Sequence, residues 1–252
     1  MPIPAQDASR STVSWLEIRF TQPVNIATHP AASVQKLRIG REQAPLLVID
    51  NLVSDAESLV DLAATKIFGG VATYYPGIRA KVPLTYQHFI LERFGPLFSE
   101  YFGLAGAKLR FTDCHFSIVT TPPGKLEYVQ RIPHADSFLG SQLAFVHYLF
   151  KADLGGTAFY RHRKTGFEVI DETRSAAYLR CLEEERQGPD SAPPAYINGD
   201  TPLFEEVSRQ QGVFNRMLAY RRTSLHCGCI APGFAFDPNP RSGRLSVNGF
   251  LA

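Results

Sequence analysis

His134-Ala135-Asp136 sets an imidazole and a carboxylate two residues apart, and His226 supplies a second imidazole 90 residues beyond Asp136. Alternate residues of an extended strand point to one face, so His134 and Asp136 can reach a single ion. Two imidazoles and one carboxylate form a facial ligand set that leaves coordination positions open, which is the donor set of non-haem Fe(II) oxygenases. The three residues are therefore read as metal ligands and as the catalytic centre.

A second group lies near the C-terminus. On a strand, Arg244 and Ser246 share one face with Asn248 and Phe250, and Leu245 and Val247 take the other. An arginine aimed into a small barrel is costly unless a carboxylate pairs with it. A dicarboxylate cosubstrate supplies that partner by a bidentate contact, with a neighbouring hydroxyl completing the hold.

The remaining polar residues divide by local pattern. His29, His88 and His115 read as hydrogen-bonded structural or surface residues. His147 and Tyr148 face opposite ways on one strand, and Tyr148 is taken as the inward residue. His162, in Tyr160-Arg161-His162-Arg163-Lys164, reads as part of a charged turn. Cys227-Gly228-Cys229 has the spacing of neither a zinc knuckle nor a redox pair, and reads as small residues in a β segment. Tyr220 and Asn215 fit a cavity lining and core packing equally well. Tyr74-Tyr75-Pro76-Gly77-Ile78-Arg79 suits a loop over a cleft, which nominates Tyr75 and Arg79 as substrate contacts. Arg161, with Arg163, follows the Gly155-Gly156 turn and is nominated to meet an anionic substrate group.

The elements that must position these residues change character along the chain. Residues 1–44 carry short β-like patches such as Trp15–Phe20. Leu46–Asp50 reads as a buried strand, and Ser54 with Glu57 as a capping box opening a helix that stops near Gly69-Gly70. A second helix is predicted from about Thr85 to Tyr101. From Lys108 the period shifts to strands: Lys108–Thr112, Cys114–Val119, Glu127–Ile132, Leu143–Phe150, Thr157–Tyr160, Arg216–Arg222 and Arg244–Phe250. Residues 168–212 break that rhythm with a helix-like run at 176–185 and a Pro/Gly-rich loop at 187–200. Helices followed by many short strands predict an α+β chain with a β-sandwich or barrel core. It is read as one domain over 1–252: a strand and helix region to about 107, then a β core over 108–252 with a helical insertion at 168–212.

Composition sets wide bounds. With 252 residues, 44% hydrophobic, the chain can bury a sizeable core, and a net charge of +2 gives no ground for a nucleic-acid or membrane-surface partner. Charges at Asp7, Arg10, Glu17 and Arg19 interrupt any signal-peptide core, and four cysteines are too few for a disulfide scaffold. The expected setting is cytoplasmic.

Taken in order, Pro133-His134-Ala135-Asp136, Val146-His147-Tyr148-Leu149, Gly155-Gly156-Thr157-Ala158-Phe159, His226 and Arg244-Leu245-Ser246 resemble the 2-oxoglutarate/Fe(II)-dependent dioxygenase superfamily, most closely its prolyl-4-hydroxylase-like branch. Val48–Ser54, opening a helix, is similar to the start of that branch, so the resemblance spans about residues 46–252. It implies a double-stranded β-helix, a cupin-like jelly roll, with Fe(II) held by His134, Asp136 and His226. It also implies 2-oxoglutarate held at its far carboxylate by Arg244 and Ser246, with Tyr148 and Thr157 in contact. A carboxylate at 136 implies hydroxylation, since halogenating relatives lack one there, and the implied substrate is a small molecule or an amino-acid or peptide side chain. Two intervals depart from the branch. The insertion absorbs the long one from Asp136 to His226. The 18 residues from His226 to Arg244 leave Arg241 as a rival anchor. Two other classes fit the residues: a cupin-like protein that binds metal or ligand without turnover, and a metal-dependent isomerase or oxygenase that needs no 2-oxoglutarate.

Overall fold

The computed structural model describes residues 26–252 except 71–73, 105 and 107. The strand pattern around Trp15–Phe20 lies outside the described residues. Eleven strands and three α-helices follow. They are β1 (Ser33–Ile39), β2 (Ala44–Asp50), α1 (Ala56–Ala64), β3 (Gly69–Gly70), β4 (Gly77–Lys81), α2 (Leu84–Tyr101) and β5 (Phe111–Val119). Next come β6 (Leu143–Tyr148), β7 (Thr157–His162), α3 (Glu172–Arg186), β8 (Phe204–Gln210), β9 (Met217–Arg221), β10 (His226–Gly228) and β11 (Leu245–Leu251).

The strands form two antiparallel sheets, one in the order β1-β2-β9-β6-β11-β5-β4-β3 and the other β10-β7-β8. An isolated bridge from His134 to His226 extends the smaller sheet beyond β10. Period-2 alternation sorts the side chains into three cores. Leu47, Ile49, Phe145, Met217, Ala219 and Val247 face outward from the large sheet and pack on α1 and α2. Leu46, Val48, Ala144, Val146, Leu218 and Tyr220 face inward toward Phe159 of the small sheet. Ala158, Tyr160, Phe204 and Cys227 face away from the interior and pack with Tyr178 of α3. The site residues of interest lie on the inward faces.

Several expectations change in detail. Asp55 rather than Ser54 caps α1, accepting from the Ser58 amide at 3.0 Å, and the helix stops at Ala64, short of Gly69-Gly70. The expected strand at Glu127–Ile132 is a 3-10 turn at Tyr128–Gln130, because the Glu127 and Gln130 side chains close a capping box that strand geometry does not allow. The two β runs from Lys108 to Val119 merge into β5. Insertion character ends before residue 212, since Phe204–Gln210 pairs with β7 as an edge strand. Its polar residues masked it, and polar residues are how an edge strand resists adding another chain. No helix among the described residues is long and apolar enough to cross a membrane.

Candidate metal centre and its anchor pocket

The His134–His226 bridge builds the centre. His134 donates its amide to the His226 carbonyl and accepts from the His226 amide, both at 3.0 Å. This doubly bonded antiparallel pair puts both imidazoles on one face, with ring centroids 4.6 Å apart. Asp136 swings in beside them because its amide donates to the Arg222 carbonyl at 2.8 Å. His134 is extended only at this bridge, so a short strand segment and a backbone clamp do the work expected of a full strand.

One ligand atom from each of His134, Asp136 and His226 lies within 4.8 Å of the other two. His134 Nε2 is 3.6 Å from Asp136 Oδ1, and His226 Nε2 is 3.6 Å from Asp136 Oδ2. These separations are too long for hydrogen bonds, yet they converge on one point, which is what a shared cation requires. His226 Nδ1 lies 3.0 Å from the Ser224 carbonyl, an acceptor, so Nδ1 carries the proton and Nε2 keeps its lone pair for an ion. Side-chain exposure falls from 45% at His134 to 15% at Asp136 and 8% at His226, so the centre opens to solvent on the His134 side. Tyr220 and Phe159 wall the inner side, with ring centroids 4.6 and 6.3 Å from the His226 ring. Burial and then the nearby Asp136 raise Tyr220 well above the usual phenol range, so it stands there as a neutral hydroxyl.

The anchor group sits further along the same faces. Gly228 follows His226 by two residues on β10, and a Cβ placed on it would lie 3.8 Å from Arg244 Nη2 and 3.9 Å from Nη1. The Arg244 guanidinium therefore lies about 6.7 Å along the strand from the His226 position, two strand residues away. Arg244 is buried, and its Nε and Nη2 donate to the Leu154 and Gly156 carbonyls at 2.9 and 2.7 Å. It has no ion pair with a described carboxylate. Gly156 presents that carbonyl because a side chain there would run into the Gln210 carbonyl, at 1.8 Å from an added Cβ.

Thr157 pairs with Gly228 across the small sheet, and its hydroxyl is 2.7 Å from the Tyr148 hydroxyl. Burial pushes the Tyr148 phenol up to about 12, opposed first by Arg244, so it is a neutral hydroxyl beside the cation. Ser246 is the cross-strand partner of both Tyr148 and Ser117, and its hydroxyl donates to Asn248 Oδ1 at 2.8 Å. The buried Tyr75 hydroxyl has no partner among the described residues. Burial raises its pKa, opposed first by the charge of Arg244 and then by that of Arg79. Arg79 pairs with Ser117 on the same row and lies 4.5 Å over the Tyr75 ring. The structure thus brings Arg244, Ser246, Tyr148 and Thr157 together, and adds Tyr75 and Arg79 to that end of the cavity.

Other nominations resolve plainly. Arg241 is exposed and pairs with Asp61 on the outside, so Arg244 is the inward cation. His147 faces outward, as read, and lies 3.0 Å from the Tyr86 hydroxyl and 3.1 Å from Asn215 Oδ1. Asn215 accordingly belongs to the core and Tyr220 to the cavity. Arg161 is not free for a substrate: Glu168 takes its Nε and Nη2 at 2.8 and 2.6 Å, and Glu205 takes Nη1 at 2.6 Å. His162 is no surface turn residue. It is fully buried and lies 2.7 Å from Glu185 of α3. Cys227 and Cys229 are free and buried. Gly228 and Arg222 join the site as well, and period-2 counting from His226 and from Tyr220 is the signal that points to them.

The donor set and the buried Arg244 test what the site accepts. Two neutral imidazoles and a carboxylate suit a divalent first-row metal. An unpaired buried guanidinium carries a desolvation cost that an anion offsets. A five-carbon dicarboxylate has the length to reach from an ion at His226 to Arg244, so the residues present fit both groups.

Residues 30–251 match a family described as "Family of unknown function (DUF6445)", and the chain belongs to that family. No curated protein matches it. Among solved structures, HygX from Streptomyces hygroscopicus with nickel and 2-oxoglutarate bound is similar at 11% identity and a TM-score of 0.51, covering 84% of this chain and 87% of that one. The carbocyclase SnoK from nogalamycin biosynthesis, a non-heme alpha ketoglutarate dependent enzyme, aligns at 12% identity and a TM-score of 0.46 over 83% and 80% of the two chains. At such identity the HygX likeness is one of fold: a mostly antiparallel architecture with few helices.

Proposed function

We propose that this chain is an Fe(II)- and 2-oxoglutarate-dependent oxygenase on a double-stranded β-helix, oxidising a C–H bond of a small molecule or of an amino-acid or peptide side chain. The observation that supports it most is the unpaired Arg244 guanidinium two strand residues from a metal-ready triad, on the same inward face. His134, Asp136 and His226 would hold the iron, and Arg244, Tyr148, Thr157 and Ser246 the far carboxylate of the cosubstrate. Bound Fe(II) would supply the site at which O2, the oxidant, takes two electrons from 2-oxoglutarate, which leaves as succinate and CO2, and two from the substrate C–H bond.

The chain's own residues provide placement. The Ser224 carbonyl fixes the His226 tautomer, and the Arg222 carbonyl fixes the Asp136 loop. Tyr220 and Phe159 keep water from the inner wall, while the exposed His134 side leaves a way in for substrate. A fold shared with HygX, whose structure holds nickel and 2-oxoglutarate, is consistent with this reading. The test is anaerobic addition of Fe(II) and then 2-oxoglutarate, which should give the weak visible charge-transfer band of a chelated 2-oxo acid. A protein that binds Fe(II) but shows no band refutes the cosubstrate. One that binds no Fe(II) refutes the metal centre.

A further inference from the structure

The inward faces carry a further cation, Arg222, that neither the triad nor the Arg244 group uses. β9 points Tyr220 inward and Arg221 outward, where Arg221 donates to the Phe102 carbonyl of the helical layer. The chain then turns Arg222 back inward, with its guanidinium carbon 4.4 Å over the ring of Phe250, an inward residue of β11. One of its five N–H donors is used: Nη2 gives a hydrogen bond to the Asp136 carbonyl at 3.0 Å. Nε is buried without a partner, and no described carboxylate pairs with the group.

A strut for the Asp136 loop does not account for this. The loop is already held by the Asp136 and Ser137 amides on the Arg222 carbonyl, at 2.8 and 3.2 Å, whatever the side chain is. A single carbonyl contact needs a donor, not a charge, and a half-buried unpaired guanidinium carries a desolvation cost. Stacking on Phe250 fixes the plane of the fork, which pre-organises it for a planar or tetrahedral anion. Arg244 meets the cosubstrate at one end of the cavity, and Arg222 stands at the metal end, one residue's reach from the Asp136 ligand.

We propose that Arg222 and Phe250 form the subsite for an anionic group of the primary substrate, a carboxylate or a phosphate. The substrate is then a small acid whose charged group lies a few bonds from the carbon that is oxidised. This rests on the function proposed above for the direction of the chemistry, but the anion site can be read without it.

The test loads the full chain anaerobically with Mn(II), with and without 2-oxoglutarate, and measures Mn(II)-induced relaxation of 13C-acetate and of the 31P of inorganic phosphate. One of the two anions should be relaxed at saturating 2-oxoglutarate, identifying the group. Arg222→Met should weaken its binding about tenfold, the loss of one charged contact, and Arg222→Lys should restore part of it. Methylammonium should show no effect. Relaxation that persists in Arg222→Met reports coordination to the metal itself and overturns the proposal. So does equal loss of Mn(II) and anion in that variant, which would make Arg222 a strut, or the absence of any relaxation by either anion. If 2-oxoglutarate fails to bind Mn(II) protein while the Arg222-dependent anion effect remains, the cosubstrate reading falls and the anion subsite stands.

Discussion

Arg244→Met separates a ligand-binding cation from a structural one. The substitution removes charge-assisted bonds to the Leu154 and Gly156 carbonyls, at 2.9 and 2.7 Å, each contributing roughly 1.5–3 kcal/mol. It also removes the desolvation cost of a buried, unpaired guanidinium, which is several kcal/mol. The two terms offset, so the metal-loaded protein without cosubstrate should melt within about 4 °C of the parent. Cosubstrate changes the comparison. At a concentration one hundred times Kd, 2-oxoglutarate stabilises the parent by about 2.7 kcal/mol, a rise in Tm of about 5–11 °C for a chain this long. Losing the pair to the far carboxylate costs about 3 kcal/mol or more, a weakening of over about a hundredfold. At the same concentration the variant should then rise by about 1 °C. Differential scanning fluorimetry of the Mn(II) form, with and without 2-oxoglutarate, reads both numbers. A variant that keeps the parent's full rise refutes the assignment of Arg244 as the anchor, and a large loss of Tm before cosubstrate is added shows the arginine to be structural.

Substitutions at three further positions probe the surroundings. Gly228→Val should abolish 2-oxoglutarate binding while Mn(II) affinity is retained, because its branched carbons enter the space beside Arg244; Gly228→Ala, whose Cβ finds only ordinary contact at 3.8 Å, should bind both. Glu168→Gln should lower Tm by about 6–20 °C, since it breaks a buried pair of about 3–5 kcal/mol and leaves Arg161 only Glu205, yet the charge-transfer band should survive because the Glu168 carbonyl that holds the Leu225 amide beside His226 is unchanged. His147, fully buried, is pushed down to about 4 by desolvation. The unfolded chain therefore takes up a proton near pH 6.5 that the folded chain refuses until about pH 4, and stability is lost as pH falls through that window. Between about pH 6.5 and 5 the parent should lose about 1.6 kcal/mol more than His147→Gln, measured by urea unfolding; equal slopes would refute a neutral buried His147.

How much of this was legible in the sequence follows from which interactions are local. The inward and outward sorting of Tyr148 against His147, and of Arg244 and Ser246 against Leu245 and Val247, comes from strand periodicity and appears unchanged in the cores. The triad was legible as residue types, and its closure depends on a bridge between residues 134 and 226 that no local pattern encodes. Arg161 shows the opposite limit. Its neighbours in sequence are basic and suggest an open cationic mouth, whereas Glu168 and Glu205 neutralise it through the turn after β7 and through the pairing with β8. β8 itself was hidden because an edge strand with one solvated side carries Glu205, Glu206, Ser208 and Arg209 where a central strand would carry aliphatic residues. Tyr75 pointed to a binding cleft, and the chain delivers it to the Arg244 end because β4 pairs with β5 beside Ser246.

The 18-residue interval between His226 and Arg244 matters little once register is considered. Arg244 is placed by the residue after it. β11 starts at Leu245, whose Cα pairs with Ile118, and Ser246 pairs with Tyr148, so the anchor's position is fixed by two central strands whatever the loop length. The loop needs only to end in the right place, and its own bonds see to that. The Asn239 amide and the Ser242 hydroxyl donate to the Asp237 side chain, at 2.9 and 2.6 Å, and the Gly243 amide returns to the Asn239 carbonyl at 2.7 Å. Gly243 is required at that return, since an added Cβ would lie 2.2 Å from the Asp237 carbonyl. Loop closure costs only about 0.6 kcal/mol for each doubling of length, far less than the pairing of a central strand contributes. Spacing between ligand and anchor is therefore a poor guide in this architecture, and the phase of the last strand relative to β6 is the quantity that places the cation opposite Gly228.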